Sequence, residues 1–194
     1  MRVRSKWNRK ESVRVKSKWN RKDKTHSVEE IGAALAFIAF RIAQNGVLTL
    51  ENNDYQTDTQ VQRLQIIAEF LYFTIQIIDR MTIERFNEED RMRFMTELAS
   101  KSAKHMEDNM RDILGKGDYR QGFIDTLNQR MGDYAEFQYD EEDGPSFPMR
   151  RFFGDLVTQQ MGEKNKRWVS DQIIDIEVPE ILGTLNRSLP NLFM

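Results

Sequence analysis

The sequence predicts an all-α fold: a helical-bundle-like domain of about six helices behind a basic N-terminal tail. Three observations lead there. From Ile31 onward apolar residues recur at helical spacing, and almost no segment alternates with the period of two that marks a strand. Short polar stretches containing Gly, Pro, Asn or Asp separate the apolar runs. The first 26 residues hold eleven Lys and Arg against Glu11 and Asp23, whereas residues 27–194 hold eighteen against twenty-nine acids. The chain therefore divides into a basic tail, 1–26, and a helical domain, 27–194.

The tail is expected to be disordered, because apart from Val3, Val13, Val15 and two Trp it has little apolar surface to repay ordering. It is also a tandem duplication: "SKWNRK" occurs as Ser5–Lys10 and again as Ser17–Lys22. Twelve residues on a helix would leave Trp7 and Trp19 about 120° apart, so an extended segment suits the repeat better. Two readings remain open. In one, Lys6, Arg9, Lys10, Lys18, Arg21 and Lys22 hold phosphates while Trp7 and Trp19 stack on bases or sit at lipid headgroups. The partner would then be nucleic acid, bound weakly and without sequence preference, or an anionic membrane surface. In the other, the duplication is inert.

The first helix is expected from Ser27 to Asn45. Ser27 and Glu30 form a capping-box pattern, and Gly46 ends the run. The polar stretch 49–58 leads to a second helix over Thr59–Ile83. Its apolar face is so wide that only Gln62, Gln65, Glu69, Tyr72, Gln76 and Asp79 form a thin polar stripe. Such a helix belongs at the centre of a core. Glu69, on the stripe, is expected to face water or to make an interhelical hydrogen bond. Asn87 caps the third helix ahead of three acids, its buried face marked by Met92, Met95, Ala99, Met106, Met110 and Ile113, and "GKG" at 115–117 stops it. A fourth helix over Asp118–Gln138 buries Ile124, Leu127, Met131 and Tyr134. An acidic loop follows, with Gly144, Pro145 and Pro148 as breakers. The fifth helix, Met149–Met161, buries Phe152, Phe153, Leu156 and Val157. The last segment, Lys164–Leu189, is expected to kink or divide at Pro179.

Several kinds of chemistry find no support. The chain has no Cys, which removes disulfides, thiolate ligands and a Cys nucleophile. Its two His, His26 and His105, fit no metal-ligand spacing, so neither a metal nor a cofactor is expected. The acids at 140–143 lack calcium-loop spacing, and "GKGD" lacks the Walker pattern. No Ser-centred elbow is present, and no catalytic residue is assigned. The basic start and the run Ile31–Phe40 do not make a signal peptide, since Glu29 and Glu30 abut the run and Arg41 follows it. That run is also shorter than the roughly 20 residues a membrane span needs, so no transmembrane segment is expected. A cytoplasmic location suits the lack of Cys.

The leading expectation is thus a non-enzymatic helical interaction module, with an unknown protein partner or a second copy of itself. The tail adds a contact to anionic surfaces. The alternative is an all-α enzyme or small-ligand carrier with a pocket between the second, third and fourth helices. Polar groups converging there around Glu69, Tyr72 and His105 would mark it.

Overall fold

The computed structural model describes residues 26–55, 57–162 and 168–193, so the repeated phrase and its Lys, Arg and Trp residues lie outside the described residues. Helix α1 spans Val28–Asn52 and opens with the capping box read from the sequence: the Glu30 amide donates to Ser27 Oγ at 3.2 Å, and the Ser27 amide donates to the Glu30 carboxylate at 3.1 Å. It does not end at Gly46. A Cβ there would collide with the Phe70 ring of the next helix, so this glycine serves close packing inside α1 rather than termination. A glycine inside a helix costs about 1 kcal/mol in propensity, and the packing of α1 offsets that cost.

The longer helix also removes one argument used against a membrane span. Helix α1 has 25 residues, and its most apolar 18-residue stretch has a mean hydropathy of 1.5. It is the one described helix long and apolar enough to cross a membrane by length and composition, so the shortness of Ile31–Phe40 is no argument against spanning. In this fold 56% of its most apolar stretch is buried, and the helix packs along α2 and α3.

Helix α2, Gln60–Thr82, is capped by Thr59, whose hydroxyl accepts from the Gln62 amide at 3.0 Å. It is the central element and touches α1, α3 (Glu88–Leu114), α4 (Arg120–Ala135), α5 (Phe147–Met161) and α7 (Val178–Leu192). Its side chains are buried without interruption from Glu69 to Asp79, including the polar ones. From Glu69 onward the polar stripe is therefore an internal seam, while Gln65 is exposed. Of the two roles expected for Glu69, the structure shows the interhelical one.

Asn87 caps α3 by accepting from the Asp90 amide at 2.8 Å, and Gly115, at φ 82°, ends it. The buried face matches the expected line only in part: Met106 is buried and Met95, Ala99 and Met110 are partly buried. Phe94, Leu98, Ser102, Ala103 and Met106 face inward, whereas Met92 is 65% exposed and Ile113 39% exposed. Helix α3 carries two apolar lines, and α1 takes the one through Phe94 and Leu98, which leaves the Met92 line outside. Helix α4 is shorter at both ends than expected and buries Phe123, Leu127 and Tyr134.

The acidic loop forms a small antiparallel pair, β1 (Tyr139–Asp140) with β2 (Gly144–Pro145), which periodicity over such short stretches could not announce. Asp140 accepts from the amides of Glu142 and Asp143 at 2.8 and 2.9 Å, and those bonds hold its carboxyl below the usual carboxylate range. Pro148 lies in the first turn of α5 and starts that helix instead of preceding it.

From Val169 onward the last segment is helical: α6 (Val169–Gln172), a π turn (Ile173–Glu177) and α7 follow one another without a gap. The segment does not divide at Pro179: the proline lies in the first turn of α7, directly after the π turn, where its missing N–H is tolerated. Aromatic rings close the core between α2, α4 and α5. The Phe73 ring stacks on Phe153 at 4.2 Å, and Tyr134 meets Phe73 edge-on at 5.6 Å.

Candidate functional site

The polar seam of α2 positions both of its neighbours. Arg130 on α4 donates from Nε to Glu69 Oε2 at 2.9 Å and from Nη2 to Glu69 Oε1 at 2.8 Å. Ten residues along α2, Arg91 on α3 donates from Nη2 to both oxygens of Asp79, at 2.7 and 2.8 Å. Two-point guanidinium–carboxylate pairs fix orientation as well as distance. Between them the seam is less complete, since Gln76 Oε1 and the Tyr134 hydroxyl are buried without a hydrogen-bond partner. Burial pushes the Tyr72 and Tyr134 phenols above their ordinary range, and the nearby Glu69 charge adds to the effect.

Outside this seam, α3 and α4 leave a groove of about 810 Å³ over Ile75 of α2. Met92, Met95 and Ala99 line one wall, and Ile124, Leu127 and Met131 line the other. Both sets follow the i, i+3, i+7 spacing of one helix face, so two apolar stripes confront each other across an open trough. The ends are polar. At one end Arg120 Nη2 donates to Ser100 Oγ at 2.5 Å, and at the other stands the Asp79–Arg91 pair. Thioether side chains are flexible and polarizable, which suits a wall that must fit an irregular apolar surface.

A second cavity, of about 360 Å³, lies further along the same three helices and brings together Glu69, Tyr72, Met106 and Tyr119. Two of the three polar groups expected to mark a pocket thus meet. The third does not: His105 stacks its ring on Phe40 of α1 at 5.3 Å and tilts against Phe37 at 6.1 Å. Burial is the main influence on this imidazole and lowers its pKa, so it stands neutral at pH 7. The Glu69 carboxylate is already engaged by Arg130 and is not free to act as a base.

Arg91 and Arg130, which organise the site, were not singled out from the sequence. Arg130 lies 61 residues from its partner, beyond any local pattern. A signal for the seam did exist, since Glu69, Tyr72, Gln76 and Asp79 recur at three- and four-residue steps within a helix that is otherwise apolar.

Comparison of the chain with protein-family models, with curated proteins and with solved structures found no match.

Proposed function

We propose that this protein is a non-enzymatic interaction module whose α3–α4 groove receives an apolar helical segment of a partner protein. One observation carries the reading: two facing apolar stripes, one from each helix, bound a trough in which Met92 is 65% exposed. An amphipathic helix presenting anchors at i, i+3, i+4 and i+7 matches such a trough, and methionine-rich walls accommodate varied anchors. Because α4 is tied to α2 through the Glu69–Arg130 pair and buries few residues, the groove has room to adjust on binding. The basic tail supplies a second, electrostatic contact to anionic surfaces.

The alternative, an enzyme or ligand carrier using the smaller cavity, is less well supported. His105 points elsewhere, and Glu69 is committed to Arg130.

Native mass spectrometry of protein isolated from its own cells tests the proposal. The wild type should carry a stoichiometric protein partner. Met92→Glu should lose it, while Phe37→Ser, an equally exposed apolar site on α1, should keep it. A partner retained by Met92→Glu, or no partner on the wild type, would overturn the reading.

A further inference from the structure

Glu177 differs from the carboxylates of the α2 seam. It is 3% exposed, yet no guanidinium or ammonium group among the described residues pairs with it. Its hydrogen bond comes from a neutral donor, Gln172 Nε2, at 3.1 Å. These residues are five apart, a spacing that does not share a face on an α-helix; the π turn Ile173–Glu177 is what brings them together. Single π turns inside helices are frequently found at functional sites.

Glu177 lines a cleft of about 490 Å³ between α1 and α7. Leu48 of α1, 48% exposed, with Ile176 and Ile181 opposite, makes an apolar patch in a lining that also holds Asn45, Thr49 and Thr184. From α1 the polar groups facing Glu177 across the cleft are neutral, Asn45 among them. From α7 comes a second carboxylate, Glu180, and among the described residues no cationic side chain lines the cleft. An unpaired carboxylate in such a place pays heavily for desolvation, and a cation delivered to it relieves that cost. Only two carboxylates line the cleft, and among the described residues no group of three or more His, Cys, Asp or Glu is placed to hold a metal ion.

We infer that the α1–α7 cleft binds a primary ammonium group carried on an alkyl chain. Glu177 is the counter-ion, Glu180 adds attraction at the mouth, and Leu48, Ile176 and Ile181 enclose the chain. Free alkylamines and lysine side chains share this chemistry.

The test is calorimetric titration of the full chain with n-butylammonium, with n-butanol as the uncharged control and Nα-acetyl-lysine methylamide as the lysine mimic. At pH 8 the ammonium should bind and the alcohol should not. Desolvation raises the Glu177 carboxyl to about 7, so at pH 6 the competent, ionised form falls to about a tenth and affinity should drop about tenfold. Glu177→Gln should abolish binding, and Glu180→Gln, at an exposed position, should weaken it several-fold. Should Glu177→Gln not fold, Glu180→Gln and the pH profile of the wild type decide. Binding of the lysine mimic as tight as that of the amine would assign the cleft to a partner's lysine, and its exclusion to a free amine. Binding of n-butylammonium no tighter than n-butanol at pH 8, or equal at pH 6 and pH 8, would overturn the inference.

Discussion

The Arg130 guanidinium holds the Glu69 carboxylate by two hydrogen bonds, of 2.9 and 2.8 Å, with side chains only 14% and 4% exposed. A pair this buried is costly to form and more costly to break from one side, because the abandoned charge has no water to turn to. Arg130→Met should therefore lower unfolding free energy by about 3–5 kcal/mol in urea titration. The double variant Glu69→Leu with Arg130→Met removes both charges and should recover most of that loss. A single variant as stable as the wild type would mean that the pair contributes nothing to holding α4.

Gly46 and Gly132 make opposite predictions for the same substitution. At Gly46 a methyl group would meet the Phe70 ring, so Gly46→Ala should destabilise by about 1–3 kcal/mol through overpacking between α1 and α2. Gly132 lies on α4 with nothing within 4 Å of the added carbon. Gly132→Ala should stabilise by up to about 1 kcal/mol, through helix propensity and a less flexible unfolded chain. Thermal melts of the two variants should shift in opposite directions.

Gly46 also shows where sequence reading reached its limit. Periodicity and caps placed the helices because they are local: Ser27 and Asn87 each bond to an amide within their own first turn. Whether a glycine stops a helix or admits a neighbour's ring depends on residues far along the chain, and Phe70 was the missing term. The same holds for α3, where the sequence displays two apolar lines and only the position of α1 decides that Phe94 and Leu98 go inward while Met92 stays out. For the candidate site, Glu69 and Tyr72 were legible as polar interruptions of an apolar helix. Arg91, Arg130 and the uncompensated Glu177 were not, since charge pairing is a property of tertiary contact.

Glu177 predicts a pH dependence of folding. Desolvation by burial, with a smaller push from Glu180, raises its carboxyl from an ordinary 4.5 to about 7. In the unfolded chain the group would ionise at the ordinary value, so over that interval the native state binds the extra proton. The stabilisation is complete below about 4.5 and is lost as pH rises through about 7. Urea midpoints measured across this window should fall with pH for the wild type, and Glu177→Gln should flatten that component. A variant with an unchanged profile would place the titration elsewhere.

The basic tail makes the last prediction. With eleven Lys and Arg in residues 1–26 and few apolar side chains, it should add little to the core, and deleting residues 1–26 should leave the melting temperature close to unchanged. At low salt the intact chain should bind single-stranded nucleic acid without sequence preference, weakening to about 10⁻⁴ to 10⁻⁶ M near physiological salt. The helical domain competes for the same cations, because the β1–β2 turn exposes Glu141, Glu142 and Asp143, none of them in an ion pair among the described residues. A tethered tail meets that turn at an effective concentration of about millimolar, enough to mask an external ligand. Asp140 should be left in place, since its carboxylate holds the turn through two amides. The variant Glu141→Gln, Glu142→Gln, Asp143→Asn should then bind nucleic acid more tightly than the wild type if the tail docks on the turn. Equal affinity of the two would mean that the tail stands free of it. If neither protein binds at low salt, the repeated "SKWNRK" has no role in holding phosphates, and the inert reading of the duplication stands.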